Sequence, residues 1–166
     1  MKFMGIFDKL FRKDNAEKRA RRQWEEMWRL WSEGALPSPY QELLTYDSEV
    51  QDGGHLQFFL NTEIRKTNMF AMMAQLKEVL PEDHAENVSA AYRAYLKLGI
   101  DIDDDNSIAE ALEEAPLRTF DGFYSEHEEE FLDLLEAYAA TISYDGTLSR
   151  IKNAPHNAPP GIILFR

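Results

Sequence analysis

Between residues 101 and 136 the chain sets fourteen carboxylates against a single cation, Arg118. Such a density suits three kinds of chemistry: holding a metal, moving protons, or attracting a cationic partner. For calcium, Asp101, Asp103 and Asp105 have the 1, 3, 5 spacing of an EF-hand loop, and Ile108 suits its eighth position. Asn106 stands where glycine must make the sharp turn, and Leu112 stands where the bidentate Glu belongs, with Glu113 one residue late. The cluster therefore reads as a polar loop whose acids favour the N-terminus of the following helix, and no metal is expected. For proton transfer, His55, His84, His127 and His156 are scattered, without zinc-ligand spacing. Glu126-His127-Glu128 is crowded by like charge, and no serine sits in a nucleophile motif. The chain has no cysteine, which removes thiolate nucleophiles, disulfides and Cys-type zinc sites. The expectation is a non-catalytic protein without a cofactor.

Electrostatic attraction remains. The candidate partner-binding set is Asp101, Asp103, Asp104, Asp105, Glu110, Glu113, Glu114, Glu126, Glu129, Glu130, Asp133 and Glu136. Around the last helix, Phe131, Leu134, Leu135, Tyr138 and Ile142 share an apolar face, while Glu126, Glu129, Glu130 and Asp133 fall opposite. Carboxylates one helical turn apart are separated by about 5.4 Å, comparable with successive charges along a nucleic-acid backbone. A DNA duplex carries one charge per ~1.7 Å of axis, so a single helix cannot imitate it. Several acidic helices, or two subunits side by side, would. Such a surface attracts basic proteins rather than nucleic acid.

The elements that must position these acids are helical. Asn15 is placed to cap a helix running to about Ser32, with Ala20, Trp24, Met27, Trp28 and Trp31 on one stripe and Gly34 as its stop. Ser38 and Pro39 open the next helix, which carries Leu43, Leu44 and Tyr46 inward. Thr67 caps a methionine-rich helix closed by Pro81. Glu82 or Asp83 starts another, with Val88, Ala91, Tyr92 and Tyr95 inward and Gly99 as its stop. The reading is all-α: a single compact domain of six to eight helices over residues 15–142. An amphipathic basic segment (1–14) precedes it and a loop-like tail (143–166) follows, with Tyr144–Thr147 as a turn and Gly161–Phe165 as a short strand or docked segment.

Charge is unevenly spread. The net charge is −12, yet residues 1–31 hold nine Lys/Arg against five acids. Phe3, Ile6, Phe7, Leu10 and Phe11 recur at helical spacing beside Lys9, Arg12 and Lys13, a pattern that suits an anionic membrane surface but ranks below packing or docking. Asp8 and Lys9 interrupt the apolar run too early for a signal peptide, and nothing approaches the ~20 apolar residues that span a bilayer. A cytoplasmic location is expected.

One stretch fixes the fold. Gly53-Gly54 abuts Phe58, Phe59 and Leu60; Gly53 reads as a left-handed helix stop, Gly54 as a turn, and His55–Leu60 as a short new helix ended by Asn61. Asp47, Val50, Gly53, Gly54, Gln57, Phe58, Phe59 and Asn61 form one pattern, and a second, separate one lies downstream at Phe120-Asp121-Gly122-Phe123-Tyr124 followed by an acidic helix ending near Tyr138. In these residues, over roughly Trp24 to Ala140, the chain resembles a bacterial family of all-helical domains whose best-known member is a DNA-mimic protein. The resemblance implies a compact, often dimeric domain without catalytic residues, whose namesake uses surface carboxylates to occupy DNA-binding proteins. Two further functions fit the same composition: an immunity-type inhibitor of a basic toxin such as a nuclease, and a structural or membrane-surface adaptor.

Overall fold

The computed structural model describes residues 4–143, with the side chains of residue 13 and of residues 15–143. Seven helices and no strand occur among the described residues: α1 (Met4–Ser32), α2 (Tyr40–Ile64), α3 (Met69–Val79), α4 (Glu82–Leu98), α5 (Asp105–Glu114), α6 (Arg118–Glu126) and α7 (Glu128–Ala139). The all-α class expected from the sequence is the observed one. The turn at Tyr144–Thr147, the strand at Gly161–Phe165 and the apolar side chains from Phe3 to Phe11 lie outside the described residues.

α2 is the central element, packed by α1, α3, α4 and α6, while α7 lies against α1. Every residue from His55 to Thr62 is buried, as for a helix enclosed on all sides. Phe58, Phe59, Leu60, Tyr46, Met27, Leu76 and Phe131 form the middle of the core. Met69, Met72 and Leu76 of α3, and Val88, Ala91 and Tyr95 of α4, close it from one side.

Several boundaries differ from expectation. α1 is continuous from Met4, so Asn15 lies exposed inside it and starts nothing. Its inward stripe begins at Gln23: Ala20 is exposed, Met27 is fully buried, and Trp24, Trp28 and Trp31 are half-buried against the core. Pro39 precedes α2, and the Ser38 hydroxyl bonds the Glu42 side chain at 2.7 Å instead of a backbone N–H. Asn68, not Thr67, caps α3, its side chain accepting from the Ala71 N–H at 3.1 Å. Gly34 and Gly99 do adopt the left-handed conformation expected of helix stops.

The double glycine breaks α2 into two helical arms that meet at a kink, as the expected stop and restart require. Gly53 has φ −154°, so it is not the left-handed residue; Gly54 is, with φ 76° and ψ −178°. Helix resumes at once and runs past Asn61 to Ile64. Asn61 does not end it: its backbone stays helical, its carbonyl accepting the Arg65 N–H at 3.0 Å, while its side-chain amide donates to Glu49 Oε2 at 2.6 Å.

Candidate partner-binding surface

The restart of α2 leaves the first N–H groups beyond the bend without an intrahelical acceptor. Asp121 of α6 supplies one: its Oδ1 accepts the His55 backbone N–H at 2.8 Å and lies 2.7 Å from His55 Nδ1. A carboxylate at a helix N-terminus is favoured by both the hydrogen bond and the helix dipole. Burial pushes the Asp121 carboxyl up, but the His55 side-chain and backbone bonds outweigh it and hold the group below its usual pKa. His55 Nε2 in turn meets the Tyr46 hydroxyl at 2.8 Å. This Asp–His–Tyr chain has the connectivity of an acid–base relay, yet His55 and Tyr46 are sealed in the core. It joins the second arm of α2 to α6 and to Tyr46 of the first arm.

A second set of bonds braces the bend. Glu49, before the kink, accepts from Gln57 Nε2 at 3.3 Å, Asn61 Nδ2 at 2.6 Å and Arg65 Nη1 at 2.7 Å beyond it. Those three residues are four apart, one above another on the same face. Gln57 also donates to Asp52 at 3.1 Å. Among the family-pattern residues, then, Phe58 and Phe59 pack the core, Gln57 and Asn61 tie the two halves of α2, and Gly53 and Gly54 permit the bend. Asp47 does something else: buried, it accepts the Tyr124 hydroxyl of α6 at 2.5 Å. Burial pushes its carboxyl up to about 6, with the nearby Glu128 adding and the Tyr124 bond opposing. The two sequence patterns are thus joined at two points, Asp121 to His55 and Tyr124 to Asp47, which fix α6 and lead directly into α7.

All twelve candidate acids are exposed. They lie on the α4–α5 loop (Asp101, Asp103, Asp104), α5 (Asp105, Glu110, Glu113, Glu114), the end of α6 (Glu126) and α7 (Glu129, Glu130, Asp133, Glu136). Glu126 does not share a helix with the last four, because the chain breaks at His127, whose φ is −116° and ψ 18°. The His127 ring is held by Phe123, its Nδ1 lying 2.8 Å from that residue's carbonyl oxygen. Buried Phe131, Leu135 and Ala139 face inward from α7, with Leu134, Tyr138 and Ile142 partly covered. Leu132 stays exposed within the acidic face, an apolar residue that the wheel did not single out.

The acids of the loop act locally. Asp101 Oδ1 accepts the Asp103 N–H and Asp104 Oδ1 accepts the Asn106 N–H, each at 3.0 Å, the latter as the N-cap of α5. Elsewhere Asp83, His84 and Glu130 each bring a possible ligand atom within 4.8 Å of the others. Buried His84 Nε2 bonds Glu130 Oε2 at 2.8 Å, which pins α7 to the start of α4 and accounts for the cluster without an ion.

Sequence reasoning missed the roles of Asp121 and Glu128 as individual residues. Gly54 carried the available signal for Asp121: a Cβ there would lie 2.7 Å from Asp121 Oδ2. No helix among the described residues is long and apolar enough to cross a membrane. No curated protein and no solved structure matches the chain. A family model described as DMP19-like protein matches residues 34–142, starting after α1 and so later than the Trp24 that the sequence pattern suggested. That span covers about two thirds of the 166 residues, including the bend, its brace and both motif halves, and the chain belongs to the DMP19-like protein family.

Proposed function

We propose that the protein is a non-catalytic interaction module whose acidic surface occupies a basic, DNA-binding protein in place of DNA. The observation that carries the reading is the exposure of all twelve candidate carboxylates, from the α4–α5 loop to α7, in a member of the DMP19-like family. Exposed like charges cost the fold little when solvated, and together they steer a cationic surface toward them. Their spread over three helices meets the need for more than one acidic helix. A homodimer would double the array. The same exposed acids also suit a basic toxin, the second reading.

The test uses Glu110→Gln, Glu113→Gln, Glu114→Gln, Glu126→Gln and Asp133→Asn together, positions whose side chains carry no bond across the fold. Proteins captured from the native cell at low salt by the unaltered chain are identified, and their DNA binding is measured with and without it. The expected result is displacement of DNA, lost with the five substitutions and weakened by salt as surface electrostatics are. A captured protein that binds DNA and this chain at once would refute the reading. Loss of a captured nuclease's activity, without DNA competition, would favour the inhibitor instead.

A further inference from the structure

Where α1, α2 and α7 meet, a cavity of about 210 Å³ opens between Trp24, Trp28, Asp47, Glu128, Glu129 and Leu132. It is smaller than the ~300–1,000 Å³ of small-molecule sites, a size for one side chain. The two indoles meet edge to face with centroids 6.1 Å apart, and both are half-buried, so each keeps exposed ring surface. Glu128 and Glu129 stand at the rim, exposed, in the first turn of α7. Asp47 is 3% exposed and borders the same cavity from α2.

Neither Asp47 nor the two glutamates has a cationic partner among the described residues. Of the three only Asp47 is buried, held by the Tyr124 hydroxyl but by no cation, whereas buried charge is ordinarily paired. The proximity of Glu128 already disfavours the ionised form of Asp47, a repulsion that an incoming positive charge would relieve. Indole faces attract cations, and apolar walls accept the aliphatic stem of a long basic residue.

We infer that this cavity is an anchor pocket for an arginine side chain presented by the basic partner. The inference rests on the function proposed above and adds to it a defined point of entry. Arginine is preferred to lysine because a planar guanidinium stacks on indole and bridges carboxylates with paired N–H donors. The pocket borders the acidic array, shares Glu129 with it, and adds residues the array lacks. Glu128 stood outside the twelve candidate acids, and Asp47 was assigned to the fold.

The probe is a short neutral-ended peptide containing one arginine, titrated into the whole protein while the indole N–H signals are followed by NMR. Saturable shifts of Trp24 and Trp28 are expected, with citrulline in place of arginine weakening binding at least tenfold. Glu128→Gln, an exposed and structurally mild change, should weaken it several-fold, as should Asp47→Asn, whose amide oxygen can still accept from Tyr124. Citrulline binding as well as arginine, or shifts unaltered in both variants, would overturn the pocket. That failure leaves the mimicry proposal standing, because its five test substitutions lie outside the cavity. Retained partner binding in those five would sink mimicry while the arginine titration still reported on the pocket.

Discussion

Replacing Gly54 by alanine tests the central claim about the fold, that the bend in α2 is held by a carboxylate from another helix. At φ 76° and ψ −178° the backbone lies in a region essentially reserved for glycine, where another residue costs about 1–3 kcal/mol. The new Cβ would sit 2.7 Å from Asp121 Oδ2 and 2.9 Å from its Cγ, so Asp121 must withdraw. Its withdrawal removes the cap on His55 N–H, worth about 0.5–2 kcal/mol. Together these give a loss of roughly 2–5 kcal/mol. At about 2–4 °C per kcal/mol for a chain of this size, the midpoint should fall by about 5–20 °C. Gly99→Ala is the matched control: its φ is also positive, at 62°, but nothing lies within 4 Å of the added Cβ, leaving only the left-handed penalty of about 1–2 kcal/mol. Urea unfolding of both variants, and of Gly54→Ala in an Asp121→Ala background, separates strain from clash. With Asp121 truncated, the alanine at 54 should cost less, a coupling expected only of residues in contact. If Gly54→Ala proves no more harmful than Gly99→Ala, or its cost is unchanged without the carboxylate, the account of the bend is wrong.

The remaining predictions concern the carboxylates that tie the helices together. Between its ordinary 3.8 and about 6, Asp47 keeps in the folded chain a proton that the unfolded chain has released. Its contribution therefore falls as pH rises through that window, by about 3 kcal/mol at ~1.4 kcal/mol per unit. Asp47→Asn removes this slope, so the variant should gain on the unaltered chain between pH 4 and pH 7; parallel denaturation midpoints across that range would contradict it. Asp121 acts in the opposite sense: its lowered pKa gives stability that is present above the ordinary carboxylate range and lost as pH falls through the folded value. Glu49→Ala strips the acceptor from Gln57, Asn61 and Arg65. Gln57 keeps Asp52, but the buried Asn61 amide loses its acceptor, at about 1–3 kcal/mol, so chemical denaturation should show a loss of that size, and a loss under about 0.5 kcal/mol would mean that the brace is ornamental.

The residues that carry local information wrote much of this molecule into its sequence. The spacing of Met69, Met72 and Leu76, or of Val88, Ala91 and Tyr95, dictates a helix face because each residue needs only a periodic apolar surface to bury. Gly34 and Gly99 end helices for reasons contained in their own backbone freedom. The exposure of the acids was likewise legible, since solvation is the default for an unpaired carboxylate. Asn15 failed as a cap because nothing nearby breaks α1 before Gly34, and a capping residue alone cannot halt a helix. Asn61 lies inside the helix instead of at its end, and its amide ties the two arms through Glu49, twelve positions earlier in the chain.

The double glycine shows where local reading ends. From the sequence alone, Gly53-Gly54 announces a departure from helical geometry, and the residues around it announce a family. Which glycine takes the positive φ is not written there, nor is the acceptor for the freed His55 N–H, which is Asp121, sixty-six residues away. Only the packed structure brings that carboxylate to the broken ladder, and only it sets Asp47 beside Trp24, Trp28 and Glu128. Local propensity is written in neighbours along the chain, whereas a cap from another helix and a pocket between three helices exist only when the core has closed and set their separation.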